Sequence, residues 1–405
     1  MSFNLVYSYP CINCKFNEFI NVYKTDKKVQ LKNGEYLNFL QHLQCCFNCG
    51  LIRQEDNKSY SNDNLQKYYA QTFRTPVQLN TINDQDKRIL NAQKRLSFIQ
   101  ELNISHSKQL LEIGLGDGVF LSKARQNYEC SGIDPSLGYD YVKNYLRKLD
   151  IVIYDLSLEE FKSNKKFDII CCFLVLEHIK EPFQFIQNMK KLLNEDGVII
   201  IEVPDVDSYS SSNSDSLLTH EHVYHYNIDT LNYLMFNNGL EIIAYNNRNV
   251  SYGFSLIAAY KFNNQPVFSS TKSSFTILFE FQSFLKKHHK YISKMSKIVA
   301  DILLESKKQN KKVGVFGIGY LFNRFLETTN YSHHFDYLFD ETDQKIGKEI
   351  SGIKIQPLLQ IINKKDIGYI IIFSEMFFKE MCDKINHSCK EQQFEIIDIH
   401  NKALN

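Results

Sequence analysis

The segment "QLLEIGLGDGVFLSKA" (residues 109–124) constrains the fold of this chain more than any other. It starts as a strand-like apolar run, passes through Gly114, Gly116 and Gly118, and ends in a helix-like pattern. A strand, a glycine-rich turn and a helix in this order open a doubly wound α/β domain. Glycines in the turn let the backbone approach a ligand at the carboxyl end of the first strand. We therefore predict an α/β fold with a ligand at this turn.

Two acidic residues end the strands that follow. The run "YECSGIDPS" leads to Asp134, and "LDIVIYD" ends in Asp155. Because each carboxylate oxygen can accept from one hydroxyl, Asp134 is suited to both hydroxyls of a ribose. Asp155 is expected within reach of a purine amine. The spacing G-x-G-x-G, instead of G-x-G-x-x-G, makes a nicotinamide-binding domain the less favoured alternative.

Four cysteines near the start of the chain have the spacing of a metal site. The pair Cys11 and Cys14 lies in "CINC", and the pair Cys46 and Cys49 lies in "CFNCG". Two such turns can place four thiolates around one ion, and a closed set of four predicts a structural Zn²⁺. A redox pair or a chance arrangement is the alternative. Cys45 is the residue most easily confused with a ligand.

The C-terminal part repeats the first motif. The run "KKVGVFGIGYLFNRFLET" again reads as a strand, a glycine turn and a helix, with Gly317 and Gly319 where a ligand could approach. The run "FDYLFDET" supplies a second strand that ends at Asp340. A helical pattern over about residues 270–310 precedes this unit. We predict a second, smaller α/β domain.

Composition excludes several classes of function. The chain has 405 residues, which predicts two or three domains. Its 47 basic and 46 acidic side chains nearly cancel, so a nucleic-acid partner is not expected. The apolar runs are too short for a membrane span, so no membrane association is expected. Ten cysteines in a chain that starts without a secretory signal favour reduced thiols or metal ligands in the cytoplasm.

The middle of the chain resembles the class I S-adenosylmethionine-dependent methyltransferases. The resemblance covers about residues 105–245 and rests on "LLEIGLGDGVFL", "GIDPS" and "FDIICCFLVLEHIKEPFQFIQNMKKLLNEDGVIIIEVP". It implies an enzyme that uses S-adenosylmethionine as cofactor. Carried over position by position, it implies that the methionine part of the cofactor contacts Glu112, Gly114 and Gly116. The ribose would contact Asp134, and the adenine would contact Asp155 and Leu156.

The whole chain is similar to the bacterial sugar C-methyltransferase family, whose characterised members act on nucleotide-linked keto-deoxysugars. The similarity extends to "CCFNCGLIRQ", "GIGYLFN" and "DETDQKIGKEISGIKI". It implies that the small-molecule partner is a nucleotide-sugar and that the enzyme serves carbohydrate biosynthesis. It also implies that the protein is a monomer or a homodimer. The expected domains are a zinc-binding lobe (1–75), a doubly wound methyltransferase domain (76–265), a helical linker (266–310) and a Rossmann-like substrate domain (311–405).

The segment "THEHVYHY" (residues 219–226) is the expected catalytic segment. Family members have a Tyr-x-Glu-His or Tyr-His-Glu-His sequence after the fifth strand, and its histidine is the favoured base. The match implies that His222 removes a proton beside the sugar ketone, with Glu221 and His220 as its catalytic neighbours. A histidine of ordinary pKa can take such a proton at neutral pH.

The chain departs from the family pattern at Thr219, where family members have tyrosine. Threonine is shorter and less acidic, so a role in placing the keto oxygen is lost or moved. Four tyrosines are candidates to replace it: Tyr224, Tyr226, Tyr68 and Tyr69.

Other residues of the segment have simpler explanations. We expect His225 and Tyr226 to pack against the start of the next helix. We expect His178, in "LEH", to be structural or close to the cofactor. A metal site within the segment is not favoured, because histidines so close in sequence cannot supply three facing ligands without a helix.

Three functions are compatible with these motifs. The first is C-methylation of a nucleotide-sugar, which accounts for all three domains. The second is O- or N-methylation of a sugar or another small polar substrate, which needs only a base and a positioned acceptor. The third is a binding protein without catalysis, and the intact glycine turn and Asp134 argue against it.

Overall fold

The computed structural model describes residues 5–30, 36–55, 87–104, 108–135, 140–212, 218–247, 254–329, 331, 333–341, 345–374, 377–389 and 394–404. The described residues up to Gln282 form one compact unit, and those from Ser283 onward form a second. Among these residues, no helix has both the length and the apolar character that crossing a membrane requires.

The N-terminal lobe of the first unit is an antiparallel sheet of five strands in the order β1-β2-β3-β4-β10. The strands are β1 (Leu5–Tyr7), β2 (Glu18–Gln30), β3 (Tyr36–Cys46), β4 (Ile52–Gln54) and β10 (Tyr224–His225). The last strand comes from the segment 219–226, more than 150 residues later in the chain than β4. The pairing joins Tyr224 to Arg53 and His225 to Ile52. The lobe therefore shares a sheet with the expected catalytic segment.

The second sheet of this unit has seven strands in the order β11-β12-β9-β8-β5-β6-β7. The strands are β5 (Gln109–Ile113), β6 (Glu129–Ile133), β7 (Val152–Tyr154), β8 (Phe167–Phe173), β9 (Leu193–Pro204), β11 (Leu240–Asn246) and β12 (Ser255–Phe262). The helices are α1 (Lys87–Glu101), α2 (Val119–Ala124), α3 (Asp140–Arg147), α4 (Pro182–Leu192), α5 (Val206–Ser212) and α6 (Ile228–Phe236). Strand β12 is antiparallel to both of its neighbours, and β9 through β7 pair in parallel.

The apolar strands of this sheet are covered on both faces. Successive side chains of a strand point to opposite faces, and in β8 they enter two different buried clusters. Ile170 lies in one cluster and Ile169 in the other. The first cluster also contains Phe19 and Leu51 of the N-terminal lobe. The lobe is thus packed against one face of the sheet.

The second unit has a six-stranded sheet in the order β15-β16-β14-β13-β17-β18. The strands are β13 (Lys312–Phe316), β14 (Tyr337–Asp340), β15 (Glu349–Ile350), β16 (Ile353–Pro357), β17 (Ile367–Ile372) and β18 (Glu395–Asp398). A long helix, α7 (Ser274–Lys308), leads into it, followed by α8 (Tyr320–Thr328), α9 (Phe378–Ser388) and α10 (Ile399–Leu404). Except for the β15–β16 hairpin, the strands pair in parallel.

The α/β fold predicted from the sequence is confirmed. The helix expected over about residues 270–310 is α7, and the second glycine motif lies between β13 and α8. The domain boundaries stay predictions. The described part of the N-terminal lobe belongs to the same compact unit as the seven-stranded sheet.

Candidate active site

The glycine turn after β5 has three residues in the left-handed region, where a side chain is disfavoured. The φ angles are +77° at Gly114, +54° at Gly116 and +73° at Gly118. A Cβ atom at Gly114 would lie 2.3 Å from Val175 Cγ2, and one at Gly118 would lie 2.5 Å from Leu146 Cδ1. At Gly116, no described atom lies within 4 Å of the place that a Cβ atom would occupy. The outer two glycines permit close packing, and the middle one leaves backbone accessible to a ligand.

Asp134 lies against this turn, at the carboxyl end of β6. Its Oδ2 accepts a hydrogen bond from the N–H of Gly116 at 2.8 Å, and its own N–H donates to the carbonyl oxygen of Tyr154 at 3.1 Å. Only 5% of Asp134 is exposed. Its carboxylate is therefore held in a fixed position beside the accessible backbone of Gly116.

Glu112 is buried below the turn, where the charge of Arg95 acts on it. Arg95 Nε lies 2.6 Å from Glu202 Oε2, and its guanidinium carbon lies 4.5 Å from the centre of the Phe173 ring. Burial raises the pKa of Glu112 well above its ordinary value, and the charge of Arg95 partly opposes that rise. Glu112 Oε2 is buried with no hydrogen-bond partner among the described residues. Such an oxygen can accept a hydrogen bond from the amino group of a methionine moiety.

Arg95 was not predicted from the sequence. Its only signal is a basic side chain inside the amphipathic run that forms α1, where Ala92 and Leu96 are buried. The other part of the network, Glu202, lies in an apolar strand.

Asp155 and Leu156 directly follow β7, at the same sheet edge as Asp134. The Asp155 carboxylate forms an ion pair with Lys143 of α3, and 49% of its side chain is exposed. Leu156 is half-buried and packs on the core of the sheet. The structure brings both residues to the expected edge, and it adds Lys143, which no motif indicated.

His222 lies beside a 3₁₀ turn, Leu176–His178, that follows β8. The ring centres of His222 and His178 are 5.1 Å apart. His178 Nδ1 is 3.0 Å from the carbonyl oxygen of Glu221, and because a carbonyl oxygen only accepts, this nitrogen donates the hydrogen bond. His178 Nε2 lies 3.7 Å from Glu177 Oε1.

The same turn connects this cluster to the glycine turn. Val175, which contacts the Cβ position of Gly114, is two residues before Glu177. The N–H of Val223 donates to the carbonyl oxygen of Glu177 at 2.8 Å. One short stretch of chain therefore contacts both the glycine turn and the segment 219–226.

Glu177, His178 and His222 can also hold a metal ion. One ligand atom from each lies within 4.8 Å of the others. The sequence argument against a metal considered only residues inside the segment 219–226. It missed Glu177 and His178, which the fold brings in from the end of β8.

The other side chains of the segment are largely engaged in packing. His220 stacks on Phe39 of the lobe, with ring centres 4.7 Å apart and an interplanar angle of 30°. The Tyr224 hydroxyl donates to the carbonyl oxygen of Lys180 at 3.2 Å.

The two residues expected to pack, His225 and Tyr226, are buried. His225 Nδ1 is 3.4 Å from the hydroxyl of Tyr209. Tyr226 is completely buried, and burial raises its pKa well above the ordinary value. Tyr68 and Tyr69 lie outside the described residues.

The four predicted cysteine ligands converge. Their sulfur atoms all lie within 4.8 Å of one another, with 3.5 Å between the Cys11 and Cys49 sulfurs and 3.5 Å between those of Cys14 and Cys46. A tetrahedral Zn²⁺ with bonds of about 2.3 Å places its sulfurs about 3.8 Å apart, so the set fits this ion. Cys45 is outside the set, because its sulfur lies 3.6 Å from the carbonyl oxygen of Gly50.

Comparison with known proteins identifies the middle of the chain. Residues 85–245 match the family described as "Methyltransferase domain". This segment is a class I methyltransferase domain that uses S-adenosylmethionine. The match confirms the predicted enzyme class, and it includes the glycine turn, Asp134 and the segment 219–226.

Among curated proteins, the methyltransferase domain is similar to enzymes named ubiquinone biosynthesis O-methyltransferase. The protein from Pasteurella multocida is 36% identical over 121 residues, which is 26% of this chain and 50% of that protein. The one from Actinobacillus pleuropneumoniae is 31% identical over 116 residues, with the same shares. The chain spans about half the length of the curated relatives it matches.

A solved structure of a methyltransferase from Clostridium acetobutylicum also matches. It is 13% identical with a TM-score of 0.36, over 46% of this chain and 94% of that one.

Proposed function

We propose that this chain methylates a carbon beside the ketone of a nucleotide-linked deoxysugar, and that His222 removes the proton. The observation that carries the proposal is the path of the chain after β8. Val175 packs against Gly114, and the residues that follow it contact His222 and Val223. The imidazole of His222 would thus act close to a cofactor that is bound at the glycine turn.

Six residues are proposed to hold the cofactor. Gly116 offers open backbone and Asp134 a fixed carboxylate, and Glu112 offers a buried oxygen that has no hydrogen-bond partner in the described part of the chain. Gly114 permits the turn, and Asp155 with Leu156 borders the neighbouring strand end. When bound, S-adenosylmethionine supplies an electrophilic methyl group.

His222 is proposed as the base because it is an imidazole in a nearly closed environment. Only 7% of the residue is exposed, which keeps bulk water away from a carbon acid. The hydrogen bond from His178 to the Glu221 carbonyl holds the backbone next to it. We assign Glu221 to orienting the acceptor, and His220, fixed by Phe39, to bordering it.

The cysteines Cys11, Cys14, Cys46 and Cys49 are proposed to hold Zn²⁺. Four thiolates leave no open coordination position, so this ion would be structural.

Proton exchange tests the proposal without a complete reaction. With S-adenosylhomocysteine bound, the enzyme should exchange the acidic proton of a keto-sugar nucleotide with D₂O. His222→Gln should lower this rate about 100- to 10,000-fold, the usual contribution of a positioned base. His225→Gln removes a neighbouring buried imidazole and serves as the matched control. Normal exchange in His222→Gln would refute the assignment.

The acceptor's nucleotide can be found by melting experiments. With S-adenosylhomocysteine present, dTDP, UDP, GDP or CDP should raise the melting temperature further if it binds the folded state. If none does, while S-adenosylhomocysteine still stabilises the protein, the nucleotide-sugar proposal fails.

O-methylation is the second candidate, and the Glu177–His178–His222 group favours it. A divalent cation held there would lower the pKa of an acceptor hydroxyl. The curated relatives named O-methyltransferases are consistent with this chemistry. Methyl transfer that needs added Mg²⁺ or Mn²⁺, without deuterium exchange at carbon, would favour this candidate over the first.

A further inference from the structure

The catalytic segment is attached to the N-terminal lobe by hydrogen bonds to its backbone carbonyl oxygens. Gln41 Nε2 donates to the carbonyl oxygen of Thr219 at 3.0 Å. The N–H of Gln54 donates to the carbonyl oxygen of Val223 at 2.7 Å. These two bonds lie on either side of residues 220–222. The lobe thus fixes both ends of the stretch that carries His222.

Two further contacts strengthen this attachment. Phe39, two residues before Gln41 on β3, stacks on His220. Strand β4, which carries Gln54, pairs with β10 immediately after Val223. The lobe therefore contacts the segment through the amide of Gln41, the ring of Phe39 and the pairing of strand β4.

The cysteine turn itself holds the helix after the segment. Asn13 lies between Cys11 and Cys14, and its Nδ2 donates to the carbonyl oxygen of Thr230 at 2.8 Å. In return, Asn237 Nδ2 donates to the carbonyl oxygen of Asn13 at 2.7 Å. Both partners are on or beside α6. Closing the metal turn therefore also fixes the position of α6.

The methyltransferase sheet holds the other side of the segment. His178 donates to the Glu221 carbonyl, and Val223 donates to the Glu177 carbonyl. By contrast, Gly116 and Asp134 are held by each other and by Tyr154, all within that sheet. The segment is held by two regions of the protein, whereas these described hydrogen bonds of Gly116 and Asp134 lie within one.

We infer that the N-terminal lobe is a positioning element of the active site, and that Gln41 is its principal positioning residue. Gln41 holds the Thr219 carbonyl, which sets the backbone path that presents His222. The catalytic consequence rests on the proposed function of His222. The positioning itself does not, because it can be measured without a substrate.

The test compares Gln41→Leu with Gln44→Leu. Gln44 is on the same strand and equally buried, at 1% against 0% exposed, but its side chain donates to Asn21 and Glu55 inside the lobe. Three quantities are measured: amide hydrogen exchange over residues 218–226, the ¹⁵N shifts of His222, and the affinity for S-adenosylhomocysteine.

For Gln41→Leu we expect amide hydrogen exchange over residues 218–226 to be at least about tenfold faster than in the wild type, and the ¹⁵N chemical shifts of His222 to change. The affinity for S-adenosylhomocysteine should stay within about twofold of the wild-type value. Methyl transfer should fall about 10- to 100-fold, since small misplacement of a reacting group has effects of this size. Gln44→Leu should leave all of these unchanged. If Gln41→Leu does not fold, Phe39→Leu replaces it, because it removes the ring that stacks on His220.

Equal changes in both glutamine variants, or no change in Gln41→Leu, would overturn the inference. Moved shifts and faster exchange with normal methyl transfer would support the inference and refute the catalytic role of His222.

Removing the metal is an independent test of the same inference. A zinc chelator should raise amide exchange over residues 218–226 and over α6, and leave the affinity for S-adenosylhomocysteine within about twofold. Loss of that affinity in parallel with the faster exchange would show that the lobe supports the whole unit, and would overturn the inference.

Discussion

The turns at Gly114 and Gly317 begin alike in two different sheets, but they differ at the second glycine, where φ is +54° at Gly116 and −101° at Gly319. Gly114 and Gly317 both follow a buried strand, with φ angles of +77° and +85°. In the first turn, the N–H of Gly114 donates to the carbonyl oxygen of Ile133 at 2.8 Å. In the second, the N–H of Gly317 donates to that of Phe339 at 3.0 Å.

The similarity extends to an aspartate at the end of the next strand. Asp134 accepts from the N–H of Gly116 at 2.8 Å, and Asp340 accepts from the N–H of Ile318 at 2.8 Å. The sequences "LLEIGLG" and "VGVFGIG" thus both place a carboxylate against the turn. The donor is the second glycine in the first turn and the residue before the second glycine in the other.

The surroundings of the two turns differ. Glu112, buried below the first turn, corresponds to the apolar Val315 below the second. In the second unit, Asp340 forms an ion pair with Lys345 at 3.0 Å, and a Cβ at Gly317 would lie 2.3 Å from Met381 Cε. The local motif therefore determines the conformation of the first glycine, while the surrounding residues determine what the turn can bind.

Replacing each of the two aspartates by alanine should give the largest difference between the two turns in cofactor binding. Asp134→Ala should weaken S-adenosylhomocysteine binding about 100-fold or more, since two hydrogen bonds to a charged group are lost. Asp340→Ala should leave that affinity unchanged within about twofold. Isothermal titration of both variants decides the matter, and equal weakening would mean that the comparison is wrong.

The glycines of the first turn should differ in their effect on stability. Gly118→Ala combines left-handed strain with overlap on Leu146, and should lower the free energy of unfolding by about 2–4 kcal/mol. Gly116→Ala has the strain alone and should lower it by about 1–2 kcal/mol. Denaturant titration measures both. Comparable losses would show that the space at Gly116 is not open.

Glu112→Gln tests whether the buried carboxyl group, which the second turn lacks at Val315, contributes to cofactor binding. Affinity for S-adenosylhomocysteine should fall about tenfold, because the ammonium group of the bound ligand favours the ionised carboxylate of Glu112, whereas glutamine offers it only a neutral acceptor. The folded-state pKa of Glu112 is raised, so its stabilising contribution is present below the unfolded pKa of about 4.3 and is lost as pH rises through the folded pKa. The melting temperature of the variant relative to that of the wild type should therefore rise as the pH increases from about 4.3 towards the folded-state pKa of Glu112. A difference independent of pH would contradict this.

The smallest effect is expected at Lys345. Its ammonium is partly exposed, so Lys345→Ala should lower the free energy of unfolding by only about 0.5 kcal/mol. The affinity for S-adenosylhomocysteine should not change. A large loss of that affinity would give the second turn a role in cofactor binding that its surroundings do not indicate.

Short-range patterns predicted the parts of the fold that depend on neighbours in sequence. The glycine turns, the apolar strands, α7 and the two cysteine pairs were all predicted in this way. Each depends on backbone conformation or side-chain periodicity within a few residues, so a single sequence contains the necessary information.

The sequence by itself determined the strand ends and the residue types available there, including Asp134, the four cysteines and the histidines of the segment 219–226. Only the tertiary structure decided their partners: Glu202 for Arg95, Lys143 for Asp155, Glu177 and His178 beside His222, and β4 beside β10. The physical reason is that strand order and packing bring together residues far apart in the chain, and no local pattern specifies which distant carbonyl Gln41 will bind.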